Sequence, residues 1–583
     1  MYNFRNLITA KDALAADLAK LTPARVRAAS VKELDELAGK IRQFLVDLPV
    51  AARHIESNLA TIELSLALHR AFESPEDRIV WDVGDQGFAH KLITGRADRF
   101  RTLNTVGGMS RFVSKSESEH DTIEASHGGT SISVALGIAL ARALRGETRS
   151  VVSVIGDASL AEGMALEALN HAAVSTHTNL VIVLNDSAGD SNAVVGALRD
   201  YLQSLHPGRK DPETLFTALG FDYIGPVDGH DIEATIKALQ RAKDSTQIPF
   251  VHVRTERGRG WTAPAPEPAA PASYEDVAAA VVSAEMERDE RVVVIAPSTP
   301  DGPGLHPLLG KHPDRAFDPG LEEQHALTLT AGLAIERARP VIFVQSTFLQ
   351  RAFDQLVHDV CFGNVPVLIL CVRSGFAGQD SPSRHGIYDF AYWRGLPNLR
   401  VLYPKDRHEA ERMVRDELRG LVSPTIVAMP YGPVDEVDPA VRHEPAAQFR
   451  KPETVLTGRD LTIIAVGHKF KVARDAAERM RQRGVDAGLV NLRCFKPLPE
   501  EPLAEILARA LRVVTIEEGV LDGGVGSAIA AFAADRKLRV ELLRLGLPCA
   551  FIAAGRQDEL CRLHGLDTDG VLQKIREFWM LDV

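Results

Sequence analysis

The chain has 583 residues, with 67 Lys and Arg against 78 Asp and Glu, a formal charge of −11, and 45% hydrophobic and 25% charged residues. These values suit a globular protein of several domains and leave no basic footprint for nucleic acid. Five scattered cysteines (Cys361, Cys371, Cys494, Cys549 and Cys561) form no C-x-x-C pair, which argues against a disulfide framework or a structural zinc site. The opening MYNFRNLITA lacks the basic-then-apolar pattern of a signal peptide. The apolar run at 365–372 is far shorter than the ~20 residues a spanning helix needs. The expectation is a cytoplasmic enzyme with small-molecule substrates, engaging neither nucleic acid nor membrane.

Short β-branched runs alternate with helix-like stretches, the pattern of an α/β protein with largely parallel sheets. Buried strands are predicted at 150–155, 179–184, 292–295, 340–344, 365–372, 461–466 and 513–516. The segment TAPAPEPAAPAS, 262–273, is too rich in Pro and Ala for ladder or helix and reads as an extended connector. A second boundary falls near 432–455. Three domains follow, 1–262, 274–435 and 450–583, each a mostly parallel sheet flanked by helices.

The most informative stretch is the strand SVVSVI, the turn Gly156-Asp157-Ala158-Ser159, a helix, the strand NLVIVL and then Asn185-Asp186-Ser187. Two strands bring two loops to the carboxyl edge of one sheet, where open α/β sheets bind ligands. An acidic residue there can hold Mg2+, and a helix amino terminus favours phosphates. A GDx turn alone is usually a turn and helix cap; paired with NDx it is specific, and it resembles the thiamine-diphosphate motif. Further segments resemble the deoxyxylulose-phosphate synthase family of transketolase-like enzymes, in that family's order. They are WDVGDQGFAHKLITGR, SHGGTSISVALGIALA, GFDYIGPVDGHD, LEEQHALTLTAGLAI, STFLQRAFDQLVHDV and LGLP.

The resemblance implies three α/β domains, a homodimer, and thiamine diphosphate with Mg2+ held between the first two domains. It implies a carboligation of pyruvate with an aldehyde such as glyceraldehyde 3-phosphate, serving isoprenoid and thiamine biosynthesis. Carried residue by residue, it makes Asp157, Ser187 and the carbonyl of Gly189 the metal ligands. Ser126, His127, Gly128, Ala158 and Ser159 would contact the cofactor. Glu323 would exchange a proton with the aminopyrimidine, with Glu322 beside it as a helix-dipole residue. His54 and His127 would move protons near the reacting carbon. Phe348 would pack nearby, and Arg351, Arg373, Asp380 and His385 would line the substrate site. Two positions stay open: Trp261 as cofactor flank or core residue, and His90 as site residue or surface helix residue.

The departures from the family pattern cluster at this site. Asp85 stands at a family histidine near the phosphates, where a carboxylate repels a diphosphate unless a metal or basic group offsets it. Ser187 replaces a ligand Asn, with Asp190 or Asn192 able to compensate, and Ala158 replaces a Gly. Tyr431 replaces an arginine of the phosphate clamp, Gln345 a tyrosine, and Arg384 a histidine, with a histidine moved to 385. Besides the family reaction, these changes leave open an acyloin synthase or ketol transferase with another acceptor, and a paralogue without cofactor.

Overall fold

A computed structural model describes residues 13–48, 55–175, 178–187, 195–206, 213–262, 271–297, 305–435 and 449–581. The chain divides into two compact units, Met1–Pro266 and Glu267–Val583.

The first unit is built on five parallel strands: β1 (Arg78–Trp81), β2 (Val151–Gly156), β3 (Leu180–Asp186), β4 (Asp222–Asp228) and β5 (Pro249–Arg254). Their order is β1-β2-β3-β5-β4. Strands β2 and β3 are continuous apolar runs because both faces of a parallel sheet are covered. Alternate residues go to opposite cores. Val152 and Val154 pack under the helices Val31–Val46, Ile62–Ala71 and Ile232–Lys243, while Val151 and Ile155 pack under Ser131–Leu144 and Gly163–Ala172. The helix Val31–Val46 buries Leu34, Ala38, Ile41 and Leu45, a single stripe at helical spacing, and a Ser30–Glu33 capping box fixes its start. In this register Trp81 lies beside Val154, and Gly156 beside Asn185. The chain therefore leaves β1, β2 and β3 at one common edge.

The second unit holds two sheets. One contains β6 (Val292–Ile295), β7 (Ala316–Phe317), β8 (Arg339–Gln345), β9 (Leu368–Ser374), β10 (Arg400–Leu402) and β11 (Thr425–Pro430), all parallel. The other contains β12 (Glu453–Leu456), β13 (Leu461–Ala465), β14 (Ala487–Asn491), β16 (Arg512–Val520) and β17 (Glu541–Leu547), parallel except for β12. Strand β15 (Cys494–Lys496) leaves this last region and pairs antiparallel with β10, extending the seven-stranded sheet. The α/β class with mostly parallel sheets is as the sequence implied. Strand β9 begins at Leu368, inside the run predicted for 365–372, because Pro366 has no N–H to give a ladder. Among the described residues, no helix is long and apolar enough to cross a membrane.

Candidate active site

At the end of β2 the chain turns into a helical segment beginning at Asp157, whose side chain is 6% exposed. One carboxylate oxygen accepts the N–H of Ala158 at 2.9 Å; the other accepts the N–H of Ser187 at 3.0 Å, with the Ser187 hydroxyl at 3.5 Å. Burial pushes this carboxyl up to about 6; the neighbouring Asp186 adds to the rise, while the backbone donors and Arg257 oppose it. A carboxyl held this way is one that a bound cation returns to its ionised form. Among the described residues no three His, Cys, Asp or Glu converge as a metal site. The carboxylate of Asp157 with the Ser187 hydroxyl beside it is an oxygen donor set, which suits Mg2+ better than zinc. The fit to Mg2+ is good on this donor set. Gly189, Asp190, Asn192 and His54 lie outside the described residues.

Asp186 does not face this edge as a ligand. It accepts from His252 Nε2 at 2.8 Å and lies 3.4 Å from Arg254, and the Tyr223 hydroxyl donates to His252 Nδ1 at 2.7 Å. That leaves Ser187, the next residue, beside Asp157.

Beyond β1, buried Asp82 accepts the N–H groups of Gly129 and Ser131, both at 2.9 Å, and burial raises its carboxyl. These bonds shape the turn at Ser126, His127 and Gly128. Ser126 is buried at φ 130°, Gly129 has φ +72°, and a Cβ on Gly128 would run into the Glu162 carboxylate. The turn is thus a backbone cradle closed from beneath, with the His127 side chain exposed above it. The start of the Asp157 helix, with Ala158 and buried Ser159, lies against the same Glu162 and Gly128.

The Asp85 loop is pinned from several sides. The Asn58 amide donates to the Asp85 carbonyl at 2.7 Å, the Thr61 hydroxyl donates to the Gln86 carbonyl at 3.0 Å, and Asn185 donates to the Gln86 side chain at 3.0 Å. The Asp85 carboxylate lies 4.0 Å from the Arg111 guanidinium, whose side chain is 8% exposed. Arg111 is therefore the basic group that offsets the charge expected to repel a diphosphate.

His90 is not a surface residue. It is fully buried, accepts from His69 Nε2 at 2.9 Å through Nδ1, and donates to Asp121 at 3.0 Å through Nε2. Arg96 closes on Asp121 with two bonds of 2.6 and 2.8 Å. Burial lowers both histidines. Trp261 is half-buried and packs against the core below the sheet.

In the second unit Glu323 opens the helix Glu323–Ile335, 3% exposed, and the Arg351 guanidinium lies 3.6 Å from its carboxylate. Arg351 follows β8 together with Phe348, which packs on the core and carries the Arg384 guanidinium 4.8 Å above its ring. Arg373, half-buried at φ 60°, is the penultimate residue of β9; the next residue, Ser374, accepts the N–H of Tyr431 at 3.1 Å. Asp380, Arg384 and His385 share the loop that follows. His385 accepts the N–H of Gly378 at 3.0 Å and donates to the Ala553 carbonyl at 3.0 Å. Both ring nitrogens thus meet backbone groups, and His385 ties the loop to the segment around Ala553.

Two residues of this unit escaped the sequence reading. Asp389 is fully buried, accepts from the hydroxyls of Ser346, Ser374 and Tyr392, and is pushed up by burial to about 6. Glu518, in β16, accepts the N–H of Phe376 at 2.7 Å and pairs with Lys469 and with His468, the latter at 2.9 Å. Despite burial, those charges hold it well below the usual carboxylate range. The third sheet therefore grips the loop that bears Arg384.

A buried acid and a glycine cradle at the edge of one parallel sheet, and a buried glutamate opening a helix of another, are the equipment of a thiamine-diphosphate-dependent, transketolase-like enzyme. The chain belongs to the 1-deoxy-D-xylulose-5-phosphate synthase family, whose model matches residues 19–210 and 208–255. Models of the transketolase pyrimidine-binding and C-terminal domains match 270–434 and 451–571. A 1-deoxy-D-xylulose-5-phosphate synthase of Geobacter sulfurreducens is 39% identical, over 95% of this chain and 98% of that one. One from Caldanaerobacter subterraneus is 38% identical, also over 95% and 98%. Among solved structures, the Leishmania mexicana transketolase aligns over 94% of this chain and 97% of its own, with 16% identity and a TM-score of 0.45.

Proposed function

We propose that the protein joins the two-carbon unit of pyruvate to glyceraldehyde 3-phosphate, releasing CO2 and forming 1-deoxy-D-xylulose 5-phosphate. The observation that carries this reading is the match to synthases along 95% of the chain, with Asp157 and Glu323 retained in buried positions. When bound, thiamine diphosphate supplies the carbon nucleophile and the electron sink for decarboxylation.

The chain's own residues do the rest. Asp157, Ser187 and the Gly189 carbonyl would hold Mg2+. Backbone at Ser126, His127, Gly128, Ala158 and Ser159 would take the diphosphate. Glu323 would exchange a proton with the pyrimidine ring nitrogen, and Arg351 beside it orients its carboxyl. His54 and His127 would carry protons to and from the substrate oxygen. Arg351 and Arg373 would take substrate anions, Asp380 a hydroxyl, and Phe348 and Trp261 apolar faces. We also infer three working segments, 1–262, 274–435 and 450–583, a homodimer and a cytoplasmic location. These rest on the resemblance, and light scattering at twice the monomer mass would test the dimer.

The test is release of CO2 from carboxyl-labelled pyruvate by protein reconstituted with Mg2+ and thiamine diphosphate. Release stimulated by glyceraldehyde 3-phosphate, with deoxyxylulose 5-phosphate as product, is the expected result. Release without that stimulation would assign a different acceptor, the reading favoured by Tyr431. No release at all would overturn the proposal.

A further inference from the structure

We propose that the buried Lys91–Glu117 pair is a positioning device for cofactor binding: by gripping both backbone groups of Ser110 it sets Arg111 against Asp85 at the edge assigned to the diphosphate. The role rests on the cofactor reading above and names the residues that make the altered Asp85 loop acceptable to an anion.

Lys91 sits on the helix Phe88–Ile93 with its side chain shut off from solvent, and Glu117, from the loop that follows Arg111, is 6% exposed. Taking such a pair out of water costs more than its attraction returns unless further hydrogen bonds meet the remaining donors and acceptors. Here those further bonds converge on one residue. The ammonium donates to Glu117 at 2.6 Å and to the Ser110 carbonyl at 2.8 Å, and the other Glu117 oxygen accepts the Ser110 N–H. The Ser110 hydroxyl in turn accepts the N–H of Phe112 at 3.1 Å. Arg111 is therefore held through both of its neighbours.

The same loop is fastened to the edge it serves. Val113 donates its N–H to the Gly84 carbonyl at 3.2 Å and accepts that of Ala125 at 3.0 Å, which ties the residue before Asp85 to the residue before Ser126. Gly84 has φ +79°, and a Cβ there would run into Ala125 and Val113, so the approach leaves no slack. On the far side Arg96 holds Asp121, which accepts the Ser114 N–H at 3.0 Å. With the loop fixed in this way, the Arg111 guanidinium reaches 4.0 Å from the Asp85 carboxylate. A loop free to drift would withdraw that cation and leave the carboxylate to face the phosphates.

Lys91 is the member of this cluster that changes charge near neutral pH. Burial brings it down to about 8, against the pull of Glu117. Burial would raise Asp121, but the bonds from His90 and Arg96 hold it well below the usual carboxylate range. His69, His90 and His120 are all lowered by burial and so stay neutral at pH 7 and above. As pH rises from 7 to 9, the grip on Ser110 therefore weakens, because Lys91 gives up the proton that pairs it with Glu117.

The experiment titrates full-length wild type, Lys91→Met, Glu117→Gln and Ser110→Ala with thiamine diphosphate at saturating Mg2+, by calorimetry. Kd should weaken on the order of 10-fold in Lys91→Met and in Glu117→Gln, with kcat at saturating cofactor changing far less. The double variant should be no weaker than the worse single one, since both side chains act through Ser110. Ser110→Ala leaves the buried charges in place and should lose part of the affinity at a wild-type unfolding midpoint. In cofactor-free protein, amide exchange at Ser110 and Phe112 should be faster in Lys91→Met than in wild type. Wild-type Kd should weaken from pH 7 to 9 more steeply than that of Lys91→Met. Should the two charge variants fail to fold, Ser110→Ala and the wild-type pH profile decide. Lowered unfolding midpoints or faster exchange with an unchanged Kd in every variant would overturn the positioning role alone, leaving the pair as part of the core. A wild type that binds no thiamine diphosphate would overturn the cofactor reading and the positioning role with it.

Discussion

Glu518→Gln tests whether the third sheet holds the acceptor loop or merely adjoins it. Glutamine keeps an oxygen for the Phe376 N–H but removes the charge that pairs with Lys469 and His468. Lys469 is 4% exposed and has no bulk water to turn to. Breaking a buried pair from one side costs about 3–5 kcal/mol, because a charge is left without compensation. At a sensitivity of roughly 2–4 °C per kcal/mol for large domains, the unfolding midpoint should fall by about 10 °C. Adding Lys469→Met removes the stranded charge, and the double variant should recover at least about 2 kcal/mol. The pH dependence has a defined sign. Glu518 is held well below its usual value, so its contribution is complete above about 4.5, the ordinary glutamate value, and is lost as pH falls toward the depressed one. Calorimetric midpoints from pH 3.5 to 8 measure this, and KM for the acceptor is read in parallel. A midpoint within about 2 °C of wild type, or a full loss of stability with an unchanged acceptor KM, would refute the claim that Glu518 positions the loop.

Other outcomes follow from the same geometry. Asp157→Asn should abolish the thermal stabilisation that Mg2+ with thiamine diphosphate gives the wild type, about 2.7 kcal/mol at a hundredfold excess over Kd; a retained shift in the midpoint would remove Asp157 from the metal site. Glu323→Gln should keep that stabilisation and lower CO2 release on the order of 10²–10⁴-fold, as measured in single turnovers. Gly128→Ala drives a methyl group into Glu162 and should weaken cofactor binding with little effect on the metal-free midpoint. Burial depresses both His69 and His90, so their contribution is present above the unfolded value near 6.5 and lost as pH falls below it. His69→Gln should flatten the pH dependence of stability between pH 4 and 6.5, checked by urea unfolding.

The parts of this molecule that were legible in sequence are those that physics writes locally. Strands β2 and β3 are buried on both faces, so they appear as unbroken apolar runs, and the turns after them announce Asp157 and Ser187 directly. Glu323 was picked out by the resemblance of LEEQHA to the family, since an acid that opens a helix is by itself an ordinary partner of the helix dipole. His385 was read into the substrate site from the family segment, and the backbone groups at Gly378 and Ala553 that meet its two nitrogens come from distances no sequence pattern shows. His90 could be read either way, since its partners His69 and Asp121 come from other segments. Asp82, Asp389 and Glu518 gave no signal at all. Each is one acid at the end of, or within, an otherwise ordinary element, and its purpose exists only once distant N–H and hydroxyl groups close around it.

The departures from the family pattern follow the same logic, because each is read with the charges that surround it. Asp85 taken alone argues against a diphosphate. With Arg111 4.0 Å away and 8% exposed, the loop carries a cation beside that carboxylate. Tyr431 taken alone argues for an acceptor without phosphate, yet Arg373 is retained one residue before Ser374, whose carbonyl accepts the Tyr431 N–H. Arg111 at the first place and Arg373 at the second therefore favour anion binding at both.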